Sequence, residues 1–197
     1  MKSLKGSRTA ENLMKAFAGE SQARNRYTYY ASVAKNDGYV QIQSIFLDTA
    51  DNEKSHAKQF FKLLAAGLGD ELPTSVDIKA SYPVAYGTTL DNLRAAAAGE
   101  NEERSVLYPG FAKVAEEEGY SDVAAVFRMV AKVEAEHEAR FNALAKNVAE
   151  GLVFRRAEAV AWRCRECGYV VVSTSPPLEC PVCHHPQGYF ELQRPNY

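Results

Sequence analysis

The 197-residue chain has no run of 18 or more apolar residues, so no transmembrane helix is expected. Residues 1–10 are polar and carry no apolar signal segment, which points to the cytoplasm. Neither sign of charge is in excess: 23 basic and 25 acidic residues leave a net charge of −2. That removes the electrostatic case for nucleic acid or an anionic membrane as a partner. No glycine-rich dinucleotide fingerprint occurs, so nicotinamide chemistry would have to reside on a separate protein. Cysteine is missing from the first 163 residues, and all four cysteines fall within the last 34. In a reducing compartment, two C-x-x-C pairs so confined read as a metal site rather than a disulfide framework.

What the chain does have is an internal repeat over its first 150 residues. Gly19-Glu20 matches Gly99-Glu100, and Arg24 matches Arg104, at an offset of 80. Farther on the offset becomes 81: Asp37-Gly38-Tyr39 matches Glu118-Gly119-Tyr120, Phe46 matches Phe127, and Glu53-x-x-His56 matches Glu134-x-x-His137. Each copy reads as a helical pair with a Gly-Tyr turn. In the last helix Val123, Phe127, Val130, Glu134, His137, Phe141, Leu144 and Val148 follow the alternating four-three spacing of one helical face. The second helix gives Ile42, Phe46, Thr49, Glu53, His56, Phe60 and Leu63. The first gives Leu13, Phe17, Glu20, Arg24, Tyr27, Ala31 and Ala34; the third gives Leu93, Ala97, Glu100, Arg104, Leu107, Phe111 and Val114. These predict a four-helix bundle with antiparallel pairing inside each repeat.

Residues 67–89 contain Gly67, Gly69, Pro73, Pro83 and Gly87, which mark a long crossover between the hairpins. A connection of that length is also a candidate hinge for hairpin exchange between subunits. The expected division is a bundle over 1–150, a linker over 151–160 and a small β-rich unit over 161–197. A unit that short usually needs a staple, which the cysteines supply if they bind a metal.

Glu20, Glu53, Glu100 and Glu134 lie on apolar stripes, where an ionised carboxylate is costly unless a cation or hydrogen bonds compensate it. Residues three apart on a helix share a face, so each E-x-x-H offers a carboxylate and an imidazole to one point. One glutamate from each of two helices and an E-x-x-H from each of the other two is the ligand set of di-iron and di-manganese bundles. Glu103 is a seventh candidate, and its counterpart Ala23 shows that it breaks the symmetry of the repeat. The five carboxylates would carry −5 against +4 for two ferrous ions. Tyr27 and Tyr108 lie one to two turns from the ligands and read either as hydrogen-bond donors to them or as core packing. Pro109-Gly110 interrupts a helical pattern near the change of offset. A π-bulge or kink between Glu100 and Ala112 would help Glu103 share the metal face.

Cys164-x-x-Cys167 and Cys180-x-x-Cys183 make a tetrahedral thiolate cage for iron or zinc, and spacing alone does not choose between them. His184 and His185 are not needed as ligands.

A bundle of this kind joined to this cysteine cage resembles the rubrerythrin family over essentially the whole chain. The resemblance rests on Ala18-Gly19-Glu20, Glu53-x-x-His56, Ala98-Gly99-Glu100-x-x-Glu103, Tyr108-Pro-Gly-Phe111 and Glu134-x-x-His137. The tail resembles rubredoxin through Cys164-x-x-Cys167-Gly168-Tyr169 and Cys180-Pro181-x-Cys183. Where many rubredoxins have glycine after the last cysteine, this chain has His184.

The resemblance implies a ferritin-like bundle and a rubredoxin-like tail with iron in both sites. The pair would be carboxylate- and oxo-bridged, held by Glu20, Glu53, Glu100, Glu134 and His137. One iron would exchange Glu103 in the oxidised form for His56 in the reduced form. Tyr27 and Tyr108 match tyrosines that hydrogen-bond near the centre. The implied activity is reduction of hydrogen peroxide, with electrons passing through the cysteine-bound iron from a separate NAD(P)H-dependent reductase. The implied assembly is a homodimer in which the tail of one subunit meets the bundle of another. Two other functions compete: a ferritin-like ferroxidase or iron-handling protein, and an interaction protein with a structural zinc ribbon.

Overall fold

The computed structural model describes residues 2–194; the last three residues of the expected 161–197 unit lie outside the described residues. Helix α1 (Arg8–Asn36) and α2 (Val40–Leu68) form one hairpin. The second comprises α3 (Thr89–Glu102), a π-helical turn (Glu103–Leu107), α4 (Tyr108–Glu117) and α5 (Ser121–Ala149). Three strands follow: β1 (Val160–Cys164), β2 (Val170–Ser173) and β3 (Phe190–Leu192). They form an antiparallel sheet in the order β2-β1-β3. No helix is long and apolar enough to cross a membrane among the described residues.

Local signals place the helix ends. Ser7 caps α1 through its side chain, and Thr88 with Asp91 forms a capping box on α3. Gly38 and Gly119 take φ of 83° and 82° at the two hairpin turns, a region costly for residues with a Cβ. The crossover is shorter than its glycines suggest: Gly67 and Leu68 still belong to α2, and Gly67 is buried under Leu4.

The repeat is visible as a pseudo-twofold set of clamps. Asp37 accepts from the Thr89 amide and hydroxyl at 3.1 and 2.6 Å. Its counterpart Glu118 accepts from the Thr9 amide and hydroxyl at 2.9 and 2.6 Å. These clamps tie opposite ends of α1 to the start of α3 and the end of α4, fixing them antiparallel.

Two aromatic layers are related in the same way. Tyr27, Phe46 and Phe141 pack with ring centroids 5.2 to 6.1 Å apart. Tyr108, Phe127 and Phe60 pack at 5.1 to 5.9 Å. Burying each ring contributes roughly 1.5–3 kcal/mol. The layers belong to separate core clusters, one on each side of the buried glutamates.

The π turn corrects part of the expected seam. Beyond it Tyr108, Ala112 and Ala115 are buried, rather than Leu107, Phe111 and Val114. They match Tyr27, Ala31 and Ala34 at the offset of 81, whereas Arg24 and Arg104 still match at 80. The extra residue therefore lies inside the π turn, where an i→i+5 bond absorbs it. Arg24 and Arg104 also leave the seam: Arg24 is exposed, and Arg104 turns outward to pair with Glu138.

The tail domain rests on the start of α2. The Arg165 guanidinium donates to Ser44 Oγ at 2.6 Å, and Phe154 stacks on Tyr39. A Cβ on Gly188 would lie 2.2 Å from the Gly38 carbonyl oxygen, so only glycine allows this approach.

The Glu118 clamp generates a prediction. Burial opposes its charge, but donors on Thr9 and Arg8 hold its pKa below the usual range. Glu118→Ala should cost about 1 kcal/mol in denaturant unfolding, the usual value of a helix cap. A carboxylate with a lowered folded pKa stabilises fully above its unfolded value and loses that contribution as pH falls through the folded one. The difference between wild type and variant should therefore be constant at neutral pH and shrink below about pH 4.

Candidate metal centres

Four helices bring Glu20, Glu53, Glu100 and Glu134 together, each 0 or 1% exposed. The two E-x-x-H histidines stack across the site with ring centroids 6.0 Å apart. His56 Nδ1 lies 3.0 Å from Glu53 Oε2, 3.0 Å from Glu134 Oε1 and 3.7 Å from Glu20 Oε2. His137 Nδ1 lies 3.1 Å from Glu53 Oε1, 2.8 Å from Glu134 Oε2 and 3.8 Å from Glu100 Oε1. Glu53 and Glu134 thus each offer one oxygen to each histidine, while Glu20 and Glu100 serve one side apiece. The arrangement is two positions, each with one imidazole and one terminal carboxylate, joined by two bridging carboxylates. The donor atoms in each group lie within 4.8 Å of one another.

The fit to metal can be tested on what these atoms lack. Glu20 Oε2, Glu53 Oε1, Glu100 Oε2, both Glu134 oxygens and His137 Nδ1 are buried without a hydrogen-bond partner. Buried polar atoms are ordinarily satisfied, so this many converging orphans fit cations placed among them.

Without metal, protons take the cations' place. Burial pushes Glu20 well above the carboxylate range, with Glu53 and Glu134 adding to the effect. Burial likewise raises Glu100 to about 8, against the pull of His137. Glu53 goes the other way: burial works against its charge, but His137 and His56 hold it at about 2. His137 rises to about 11, because Glu100, Glu134 and Glu53 outweigh the burial that disfavours its charge. His56 is raised further by Glu134, Glu20 and Glu53, again against burial.

The tyrosines complete the two-fold pattern. Tyr27 Oη donates to Glu100 Oε1 at 2.5 Å, and Tyr108 Oη donates to Glu20 Oε1. Each orients a terminal carboxylate, and burial keeps both phenols protonated. Glu103 stands apart from both donor groups. It lines a cavity of about 290 Å³ with Gly19, Arg26, Tyr82, Leu107 and Tyr108. Burial, followed by the nearby Glu20, raises its pKa well above the usual value.

Sequence periodicity missed two residues around this site. Asn52 Oδ1 lies 3.3 Å from His137 Nε2. Glu138 accepts from Asn101 at 2.9 Å and from Arg104, bracketing the start of the π turn. Both lie off the apolar stripe, so only their adjacency to Glu53 and His137 could have marked them.

In the tail, Cys164 and Cys183 Sγ are 3.7 Å apart, and Cys167 and Cys180 Sγ are 3.6 Å apart. Four ligands about 2.3 Å from a central ion lie about 3.8 Å from one another, so the cage has the size of a tetrahedral thiolate site. Burial disfavours the Cys180 thiolate, but amides of Cys183 and Val182 lower its pKa to about 6. His184, which follows the last cysteine, sits at φ 59°, the only positive φ outside glycine among the described residues. Its Nδ1 lies 2.8 Å from Glu179 Oε1 on the surface, and it is not a cage member.

Loading the metal-free bundle with ferrous iron at neutral pH should release on the order of two to four protons per chain. With the cysteine site already occupied by iron, they come from His56, His137 and the raised carboxyls, and pH-stat titration would count them. Loading without proton release would show that these side chains do not carry the protons assigned to them.

Comparison with known proteins agrees with this construction. The family model described as Rubrerythrin matches residues 11–145, and that described as Rubrerythrin, rubredoxin-like domain matches residues 162–191. The chain is 60% identical to Rubrerythrin-1 of Clostridium acetobutylicum, with 100% of each chain covered. It is 50% identical to rubrerythrin of Nitratidesulfovibrio vulgaris, again over 100% of both. A structure of partially reduced nigerythrin aligns with a TM-score of 0.62 at 30% identity, covering 98% of this chain and 92% of that one. The ferritin-like fold, the Glu/His di-iron site and the tetracysteine iron site agree with these relatives. They support an iron-dependent, peroxidase-type role. With more than half its length matched by the family model and full-length relatives at 50–60% identity, this chain belongs to the rubrerythrin family.

Proposed function

We propose that this protein reduces hydrogen peroxide to water at an iron pair held by Glu20, Glu53, Glu100, Glu134 and His137. His56 and Glu103 would alternate as the remaining protein ligand. Electrons would arrive through iron on Cys164, Cys167, Cys180 and Cys183 from a separate NAD(P)H-dependent reductase. The bundle over 1–150 and the tail over 161–197 are thereby the reducing and relaying parts of one enzyme. The observation that carries the reading is Glu103: a half-buried carboxyl outside the assembled donor set, lining a cavity beside Glu20.

When bound, the irons supply two electrons and the Lewis acidity that peroxide reduction needs. The side chains supply the rest. Glu53 and Glu134 would be shared by both positions, since each places one oxygen near each histidine. Glu20 and Glu100 are held in orientation by Tyr108 and Tyr27. The aromatic layers keep bulk water from the bridging carboxylates. Glu103 lines the cavity beside Glu20, where it would be within reach as the alternative carboxylate ligand. Neutral imidazole suits ferrous iron and hard carboxylate suits ferric iron, which gives the exchange its direction.

Along α2, Ser44 and Glu53 are nine residues apart, about 14 Å. Arg165, next to Cys164, docks on Ser44, so iron on the four cysteines would face a long path to the buried glutamates of its own chain. Head-to-tail pairing of two copies, with the long crossover permitting hairpin exchange, would bring a partner's tail closer.

An anaerobic visible spectrum of the reduced protein, taken before and after one equivalent of hydrogen peroxide, tests the proposal. Rapid appearance of ferric–thiolate colour is expected. A protein that stays colourless with zinc in the cage would contradict it. Ferrous iron oxidation without sustained peroxide turnover would favour the ferroxidase alternative. Glu103→Ala should lower peroxide turnover by roughly a hundredfold or more, the scale of losing one positioned catalytic group. Tetracysteine iron content should stay unchanged.

A further inference from the structure

The two histidines are equivalent in the repeat but are not held alike. His137 Nε2 faces Asn52 Oδ1 at 3.3 Å. A carbonyl oxygen can only accept, so Nε2 carries a hydrogen, and Nδ1 is the nitrogen left to face a metal once it gives up its proton. By the offset of 81, the residue equivalent to Asn52 is Val133. Valine offers no acceptor, and no hydrogen bond reaches His56 Nε2 among the described residues. The His56 side chain is 14% exposed against 4% for His137.

A second departure from symmetry falls at the same place. Glu103 has Ala23 as its counterpart, and its carboxyl lies beside Gly19, the neighbour of Glu20. Glu20 is the terminal carboxylate of the His56 position. The unpinned histidine and the spare carboxyl therefore serve one metal position, and the pinned histidine serves the other.

We infer that Asn52 and Val133 are positioning residues that decide which metal position changes ligand. Asn52 pins His137 through its far nitrogen and keeps that position fixed. Val133 leaves His56 free to turn away and yield to Glu103. The inference rests on the ligand exchange proposed above and adds the device that confines it to one side. Partners on the far nitrogen of a ligating histidine commonly change metal affinity by about 10–100-fold, which is enough to set such a preference.

The test needs no turnover. The full-length protein would be loaded with zinc, which is diamagnetic, and its imidazole nitrogens followed by NMR. The expected result is a His137 Nε2–H that exchanges slowly with solvent and a His56 Nε2–H that exchanges fast. Asn52→Val should speed His137 exchange by roughly tenfold or more. Asn52→Asp keeps the acceptor and should restore protection, which a merely structural role for Asn52 would not require. Val133→Asn, at a position already 38% exposed, should slow His56 exchange. Crystal structures of the diferric and diferrous iron-loaded proteins would then compare ligand sets. Wild type is expected to exchange His56 and Glu103, and Val133→Asn to keep His56 bound in both states. Equal protection of both histidines in wild type would overturn the inference. So would a Val133→Asn variant with a protected His56 that still exchanges ligands. If wild type itself shows no ligand exchange between oxidation states, the exchange reading fails first, whatever the NMR shows.

Discussion

The structure depends on four carboxylates buried where water cannot reach them. Glu20, Glu53, Glu100 and Glu134 come from four helices and meet between two aromatic layers. Removing a carboxylate from water costs several kcal/mol after relaxation. Four together, with most of their oxygens unpartnered, would be untenable in a bundle of ordinary stability. Protons on the histidines and on two of the carboxyls can balance the metal-free chain, but they do not satisfy every lone pair. Two divalent cations can. Metal binding and folding are therefore coupled, and both repeats must supply ligands for either metal position to be complete.

The duplication explains the layout, and its defects locate the chemistry. Tyr27 with Glu100 and Tyr108 with Glu20 are copies of one hydrogen bond. The Asp37 and Glu118 clamps are copies of one helix-end contact. A perfectly two-fold site would treat both metals alike. One added residue in the π turn puts Glu103 and Tyr108 to use around the same metal position, with Asn101, Arg104 and Glu138 bracketing the start of the turn. The irregular turn lies where the exchanging carboxylate is proposed.

Much of this was legible in the sequence because charged residues on apolar stripes contradict their surroundings. The glutamates, both E-x-x-H pairs and the cysteine cage follow from spacing alone. So did the expectation of an irregular turn, from Pro109-Gly110 and the changed offset. The burial register beyond that turn was not legible: a four-three pattern carried through it selects Leu107, Phe111 and Val114, although Tyr108, Ala112 and Ala115 are buried. Arg24 and Arg104 were placed on the seam by the same arithmetic, which does not register that a guanidinium can turn outward. Asn52 and Glu138 were missed because their partners come from another helix. The docking of the tail on α2 through Arg165 and Gly188 leaves no periodic trace.

The two centres differ in what they ask of the protein. The thiolate cage is compact, with its sulfurs paired at 3.6 and 3.7 Å and backbone amides lowering the Cys180 pKa. The bundle site has two carboxylates shared between its histidines and, among the described residues, a far-nitrogen partner on His137 alone. The most direct test of the account is a Mössbauer spectrum of full-length protein reconstituted with isotope-enriched iron. The account predicts about three irons per chain, two in a coupled carboxylate–imidazole environment for each in a tetrahedral thiolate one. A correctly folded protein that takes iron only on its cysteines, leaving the buried glutamates without cations, would contradict it.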